Sequence, residues 1–507
     1  MGIYTRTTRR WLDRRYQSRT PDGLYLAHQP IYGLGHPAAE PNQLPRLARV
    51  FQILKTLARL RIGSFLDVGG SEGYVAWLLA RLWSVPGVSC DLSVAACRMA
   101  RALFGVPGAA IDCARLPFRD QSFDVVLCSE VIEHVEHPVE TVLELLRVAR
   151  VAVVLTTEEL HHDREAIERY LFRRPGYPHM ERNVFHADDL QLLFGSDAQL
   201  SGQCREPQPQ EPVPLPLART WLLGATRDLR PGPGVRGVVL LKTLDPAAHQ
   251  TPRHDDAALL DALLQTVTPA VPPPPLLVTA EPDDFLWSRL CCPLTHTPLR
   301  SAGSRLVSAG GHSYPVVDGI PDLFPVDAPD PSRAALETRL GTLLPRDLER
   351  RRQILQLRDQ LELPERAPLS AWEFRNSEHR RGWWPNEQLV ERRGDPRAFR
   401  WHSTGDDPWL LSPCLARRVQ GVELTLRVHN PAFAVDAAVG QVFWMGADDD
   451  GFGEDRKVDF ALRNDGEIHT VRVPLTGHPR LPAAVYWLRL DLVNGPCELD
   501  LYRVAVW

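Results

Sequence analysis

The stretch Phe65-Leu66-Asp67-Val68-Gly69-Gly70-Ser71-Glu72-Gly73-Tyr74 decides how the first half of this chain folds. It opens apolar apart from Asp67 and continues into glycines interleaved with Ser71 and Glu72. Val75, Leu78, Leu79 and Leu82 then recur at helical spacing, so a buried strand runs through a tight turn into a helix. Working outward, Leu47, Val50, Phe51, Leu54 and Leu57 mark an amphipathic helix ahead of the strand at 64–68. After it the pattern predicts strand 87–91, helix 94–103, strands 109–112 and 123–128, helix 142–148 and strand 152–156. Strands this apolar, separated by helices, predict a parallel sheet covered on both faces, which is the doubly wound, Rossmann-like α/β architecture. Residues 237–242, after a Pro-rich excursion at 207–216, form a late apolar strand that is a candidate to close the sheet.

The length of 507 residues predicts about three domains. The segments read as an N-terminal arm or lid (1–43), the α/β domain (44–245), a Pro-rich linker (246–283) containing four consecutive prolines, a compact ribbon-like module (284–326), a helical connector (327–370) and an antiparallel β-sandwich (371–507). In the connector Leu336, Leu340, Leu343, Leu344 and Leu348 keep helical spacing. In the last segment short alternating strands at 423–428, 440–445, 458–462, 470–473, 486–490 and 499–506 are punctuated by turns such as Asp465-Gly466 and Asn494-Gly495.

Composition excludes several classes. A net charge of −5 gives no general attraction to polyanions. The exception is the start, where Arg6, Arg9, Arg10, Arg14, Arg15 and Arg19 surround Asp13; a solvated helix face leaning on the next domain is the preferred reading over a nucleic-acid arm or a transit peptide. Nine cysteines, several inside apolar runs, do not form a disulfide framework, and a reducing cytoplasm is expected. No apolar run reaches the ~20 residues that span a bilayer, and no signal peptide opens the chain.

Asp67, Asp91 and Asp112 each end an expected strand, so three carboxylates are expected at the C-terminal edge of the sheet, where open α/β sheets bind ligands. Aspartates serving only as helix caps are the competing reading. With FLDVGGSEGY (65–74), CDLS (90–93) and IDCARLPFRDQSFDVVLCSEVIEHVEHP (111–138), the region from about 44 to 194 resembles the class I S-adenosylmethionine-dependent methyltransferases, particularly the subgroup with quinone-biosynthesis enzymes. The resemblance implies that Asp67, Gly69 and Gly73 shape the methionine end of the cofactor site. It also implies that Asp91, with Leu92, holds the ribose, that Asp112 and Ala114 flank the adenine, and that Ser129 and Glu130 lie beside the methionine moiety. Ser71 departs from it, standing where a second glycine is common.

Methyl transfer from a sulfonium needs alignment and exclusion of water, and a base only if the acceptor must lose a proton. His134 is the candidate catalytic base, with His161 and His162 as others. His179 and His186 are candidates to line an acceptor pocket, and Tyr25, His28 and Tyr32 to cover the cofactor; packing roles compete for all of these. No metal is implied.

Residues 284–325 resemble the small zinc-ribbon activators of methyltransferases through LCCPLTHTPL (290–299) and YPVVDGIPDLF (314–324). Thr295 replaces a ligand cysteine, and a ribbon without zinc is expected. GQVFWMG (440–446), RNDGEIHTVRVPL (463–475) and WLRLDLVNGP (487–496) resemble galactose-binding-like jelly rolls, which implies a candidate glycan contact; Trp444 is a candidate stacking residue, although a Trp in an alternating strand is more often core. The expected function is O-methylation of a small molecule or saccharide. The rivals are an RNA methyltransferase with a built-in activator, although nucleic acid is not the expected partner, and an inactive glycan-binding scaffold.

Overall fold

The four residues Phe65–Val68 are all buried and form the second strand of a six-stranded sheet in a computed structural model. It describes residues 3–17, 43–160, 163–173, 178–204, 215–225, 236–252, 255–266, 284–326, 328–362, 369–392, 394–430, 438–447, 449 and 451–507. The chain divides into two compact units, one of residues 1, 12–167 and 183–362, the other of residues 2–11, 168–182 and 363–507.

In chain order the elements up to the ribbon are α1 (Ile3–Arg15), α2 (Gln43–Leu57), β1 (Phe65–Val68), α3 (Tyr74–Trp83), β2 (Gly87–Cys90), α4 (Val94–Phe104), β3 (Phe123–Ser129), α5 (Pro138–Val148), β4 (Ala149–Glu159), α6 (Arg164–Arg173), α7 (Ala187–Phe194), β5 (Gln199–Cys204), α8 (Leu215–Ala225), β6 (Arg236–Thr243) and α9 (Asp256–Leu264). The boundary between the units cuts α1 and α6. The sheet order is β2-β1-β3-β4-β6-β5. β1, β2, β3 and β4 pair in parallel, whereas β6 runs antiparallel to both β4 and β5. The doubly wound α/β reading therefore stands for the first half, but the sheet is mixed. β6 enters between β4 and β5 instead of closing an edge. β5 carries Gln199, Ser201 and Gly202, so it offers no apolar run by which an edge strand could be read.

Two expectations need correction. Residues 109–112 are not a strand: only Ala110 bridges, to Asp91 on one side and to Asp322 on the other. The chain turns there because Asp112 Oδ1 accepts the Ala114 N–H at 3.0 Å and caps a single helical turn, Cys113–Arg115. Nor is 246–283 simply a linker. Within it α9 buries Leu259, Leu260 and Leu263 in the same core as Leu47, Phe51 and Leu54 of α2 and Val125, Leu127 and Val154 of the sheet. A nine-residue helix beside prolines gives too short a period to stand out.

The ribbon comprises α10 (Asp284–Trp287), β7 (Leu299–Ser301), β8 (Arg305–Ser308), β9 (Ser313–Val317) and β10 (Ile320–Pro321), with sheet order β10-β9-β8-β7. It joins the α/β core through main chain. Ala110 N–H donates to Pro321 O at 2.9 Å, Leu323 N–H to Ala110 O at 2.9 Å, and Cys291 N–H to Pro117 O at 2.8 Å. The connector is α11 (Arg333–Leu343) and α12 (Leu348–Leu361), burying Leu336, Leu340, Ile354, Leu357 and Leu361. The leucine stripe expected from Leu336 to Leu348 breaks because the two helices divide it. Leu343 is 53% exposed and Leu348 68%.

Among its described residues the second unit has eleven strands: β11 (Ala371–Glu373), β12 (Trp384–Pro385), β13 (Leu389–Glu391), β14 (Phe399–Ser403), β15 (Leu410–Leu411), β16 (Gly421–His429), β17 (Ala438–Met445), β18 (Lys457–Leu462), β19 (Ile468–Pro474), β20 (Trp487–Asp491) and β21 (Cys497–Val506). They form two antiparallel sheets, β13-β14-β21-β16-β19 with β11 beside β21, and β12-β15-β20-β17-β18. Inward residues of both, among them Trp401, Leu424, Leu501, Val442, Trp444 and Leu490, share one core. Among the described residues no helix is long and apolar enough to cross a membrane.

Candidate functional site

The turn after β1 is held by backbone before any side chain acts. Gly69 N–H and Gly70 N–H both donate to Cys90 O, at 2.8 and 2.9 Å, which lays the turn against the end of β2. Gly69 and Gly73 have φ of +75° and +82°, a region costly for any residue with a Cβ. A Cβ would meet Val131 Cγ2 at 2.2 Å from Gly69 and Ala100 Cβ at 2.6 Å from Gly73. Ser71 adopts φ +54°, so it takes a glycine-like conformation while carrying a hydroxyl.

Three acids converge there. Asp91 Oδ2 accepts the Ser71 N–H at 3.1 Å and Oδ1 the Ser93 N–H at 2.9 Å. Asp67 Oδ2 and Glu72 Oε1 are buried and have no hydrogen-bond partner among the described residues. Burial pushes Asp67 up to about 7, with the Asp91 charge adding to it. Burial likewise raises Glu72 to about 7 and Asp91 to about 6, opposed for Glu72 by the Ser71 hydrogen bond and for Asp91 by its two backbone donors. Buried acids left half-satisfied are costly unless a cation or hydrogen-bond donors reach them. Leu92, half-buried, follows Asp91 directly.

The other expected positions are held in different states. Asp112 is raised by burial and uses one oxygen as a cap for Ala114, which is itself buried; its charged neighbours are His137, Arg115 and Glu136. Ser129 Oγ lies 2.8 Å from Thr156 Oγ1. Glu130, at φ +55°, accepts from Thr156 Oγ1 at 2.8 Å and pairs with Arg49 at 2.9 Å. His134 ends a one-turn helix, Ile132–His134, with its ring half-buried.

His186 caps α7 through its side chain, and His179 stacks on Trp11 at 4.9 Å within the second unit. The structure therefore gives both of these candidate pocket histidines a packing or capping role. His161, His162, Tyr25, His28 and Tyr32 lie outside the described residues.

Sequence reasoning missed Asp13 and Tyr16. Asp13 Oδ1 accepts from Ser93 Oγ at 2.6 Å and from the Ala95 N–H at 3.2 Å, at the start of α4. Tyr16 Oη is 2.6 Å from Ser71 Oγ. The signal was the four-residue spacing of Tyr4, Thr8, Leu12 and Tyr16, all buried, hidden among arginines of which Arg6 and Arg10 are exposed. Glu72 was also passed over, because a lone acid in a Gly-rich turn reads as solvated.

Among the described residues one group brings three side chains of metal-ligating type together: His137, Glu140 and Glu362, with one atom of each within 4.8 Å of the others. Arg358 reaches both carboxylates, at 3.4 and 2.6 Å, and so supplies positive charge there. Burial and the Glu362 charge raise Glu140 to about 7. The group fastens α12 to α5. In the ribbon, Cys291 and Cys292 are buried free thiols, and Cys292 Sγ lies 3.2 Å from Tyr314 Oη.

Residues 66–155 match the methyltransferase domain family. No curated protein matches the chain. Among solved structures, the chain is similar to an S-adenosylmethionine-dependent methyltransferase from Thermotoga maritima (16% identity, 40% of this chain and 92% of that one, TM-score 0.31). It is similar also to a chain of the complex between the Haloferax volcanii Trm112 methyltransferase activator and a methyltransferase (16%, 39% and 90%, 0.29). A third is the geranyl diphosphate C-methyltransferase of Streptomyces coelicolor A3(2), in complex with Mg2+, geranyl diphosphate and S-adenosyl-L-homocysteine (14%, 48% and 98%, 0.31). The chain thus carries a methyltransferase domain over residues 66–155.

Proposed function

We propose that the chain is an enzyme that uses S-adenosylmethionine to methylate an oxygen of a small molecule or saccharide, and that Asp67, Gly69, Gly73, Asp91, Leu92, Asp112, Ala114, Ser129 and Glu130 form its cofactor site. The observation that carries the site is the pair of orphaned buried oxygens, Asp67 Oδ2 and Glu72 Oε1, beside Asp91. They fit a ligand that brings a positive charge and several donors and no phosphate. The Gly69 and Gly73 positions, where a Cβ would clash, keep the turn close to β2.

When bound, S-adenosylmethionine supplies an electrophilic methyl group. The chain's own contribution is then placement. Asp91, with its inner lone pairs spent on Ser71 and Ser93, is fixed in orientation and accepts ribose hydroxyls with the remaining ones. Asp67 and Glu72 hold compensating negative charge once ionised. Tyr16 and Asp13 hold the end of α1 against Ser71 and Ser93 and exclude water from that side. His134 is our candidate to take a proton from an alcohol acceptor, since an imidazole can accept and return one. The ribbon acts as a built-in docking unit that pins the Ala110–Asp112 segment, and the C-terminal unit contacts glycan.

The test is to incubate the full chain and methyl-labelled S-adenosylmethionine with small-molecule, polysaccharide and RNA fractions of a bacterial extract. Label in a small-molecule or saccharide ether supports the reading. Label confined to RNA, or to nitrogen or carbon, contradicts it.

A further inference from the structure

The start of α5 carries His137 as its cap and Glu140 in its first turn, three residues on, so both side chains fall on one face. The end of α12 meets that face. Glu362 is the C-cap of α12, and its Oε1 lies 2.9 Å from His137 Nδ1, 225 residues away in the chain. That separation is why the sequence implied no metal: two of three ligating side chains are neighbours, and folding supplies the third. All three belong to the first unit.

The way these carboxylates are shared leaves one oxygen of each over. Arg358 takes Glu140 Oε1 at 3.4 Å and Glu362 Oε2 at 2.6 Å, and is itself anchored on Pro331 O at 2.8 Å. Glu362 Oε1 is then left to His137. Glu140, only 6% exposed, keeps Oε2 buried with no hydrogen-bond partner among the described residues. A buried carboxylate oxygen that meets no donor is costly.

The same geometry suits an ion. Ligand atoms held roughly 2.0–2.2 Å from zinc stand about 2.9–3.5 Å from one another, and the His137–Glu362 spacing already meets that. With 4.8 Å as the widest span in the group, small side-chain rotations bring all three atoms onto one centre. The outer contacts match as well. A ligating carboxylate is itself hydrogen-bonded, and a ligating histidine turns its other nitrogen to a carboxylate or carbonyl. Arg358 fills the first role for both glutamates. Asp330 Oδ1, 3.9 Å from His137 Nε2, stands on the side that the second role requires. Glu140 and Glu362, with Asp330 and Glu136 also near His137, outweigh Arg358, so the ionised group attracts a cation.

We propose that His137, Glu140 and Glu362 bind one divalent cation of the zinc class, with water completing a four-coordinate shell. Imidazole beside carboxylate favours zinc over magnesium and calcium, which take oxygen ligands. As the ion enters, the proton between His137 Nδ1 and Glu362 Oε1 leaves to solvent. The ion clamps the end of α12 to the start of α5. His137 is among the charged neighbours of Asp112, so the clamp lies next to a residue of the proposed cofactor site.

The experiment is calorimetric titration of zinc chloride into the chelator-treated full chain, with Tm followed alongside. Magnesium chloride, Glu140→Gln and Glu362→Gln are measured in the same way. The parent should bind one zinc ion with a Kd of about 1 µM or tighter, and its Tm should rise. Each variant should bind zinc at least about tenfold more weakly. Glu362 lies at a helix end, so Glu362→Gln reports on the site even if Glu140→Gln, at a more buried position, unfolds. Absence of zinc binding to the parent would overturn the proposal and leave the group an ion-pair clasp. Zinc bound equally by a folded Glu362→Gln would put the ion elsewhere and overturn this site, and magnesium bound as tightly as zinc would overturn the class of ion.

Discussion

The phenol oxygen of Tyr16 lies 2.6 Å from Oγ of Ser71, and Ser71 is the residue whose backbone N–H holds Asp91. An aromatic residue at the end of an arginine-rich helix is thereby tied to the turn at the centre of the proposed cofactor site. Ser71 occupies a position where glycine would give the same backbone without a hydroxyl, so the contact depends on the side chain that departs from the family pattern.

Tyr16→Phe removes that hydrogen bond and leaves the ring packed. Its expected effect is a loss of cofactor affinity of about 2- to 10-fold, corresponding to roughly 0.5–1.5 kcal/mol for one hydrogen bond. Calorimetry with S-adenosyl-L-homocysteine measures it. Unchanged affinity would show that the contact only packs α1.

The acids at the site predict a pH dependence with a definite sign. Asp67 and Glu72 sit at about 7 and Asp91 at about 6 in the folded chain, above the ordinary range of about 4 for an unfolded carboxyl. The folded chain therefore holds protons that the unfolded chain has released, and the stability of the cofactor-free chain falls as pH rises from about 4 through about 7. A cationic cofactor binds the ionised acids. The rise in Tm produced by saturating S-adenosylmethionine should then be larger at pH 8 than at pH 5.5. A cofactor-induced shift that is flat or shrinks with pH contradicts this assignment of charge.

The ribbon's main-chain bonds to Ala110 give a third prediction. Leu323 is fully buried and its N–H closes the bridge to Ala110. Leu323→Ala should cost about 2–5 kcal/mol of stability. Deleting residues 284–325 should lower soluble yield or cofactor affinity, because the segment leading into Asp112 loses one hydrogen-bonded neighbour. If a deletion variant matches the parent in both, the ribbon is not a docking unit for this domain.

Much of the α/β half was legible because its strands are apolar runs and its helices keep a clear period. The run from Phe65 to Tyr74 carries both signals in ten residues. What escaped was local or long-range. The segment at 109–112 looks like a strand by composition, yet Asp112 spends its carboxylate on a turn. β5 was invisible because an edge strand needs no apolar run, and α9 because nine residues beside a Pro-rich stretch show too little period. At the site, the sequence could place Asp67 and Asp91 at neighbouring strand ends. It could not show that Asp13 and Tyr16, more than 50 residues upstream of the turn, meet Ser93 and Ser71, since that contact is made by folding and leaves no motif. Trp444 was legible: a Trp in an alternating strand is more often core than a ligand contact, and it is fully buried.

The most direct test of the account is calorimetric titration of S-adenosyl-L-homocysteine into the full chain and into Asp91→Asn. The parent should bind one equivalent, and the variant, which keeps the shape but loses the charge and sets an NH2 donor where one oxygen accepts, should bind at least about tenfold more weakly. Equal affinity in the two proteins, or no binding to the parent, would contradict the claim that these strand-end acids hold the cofactor.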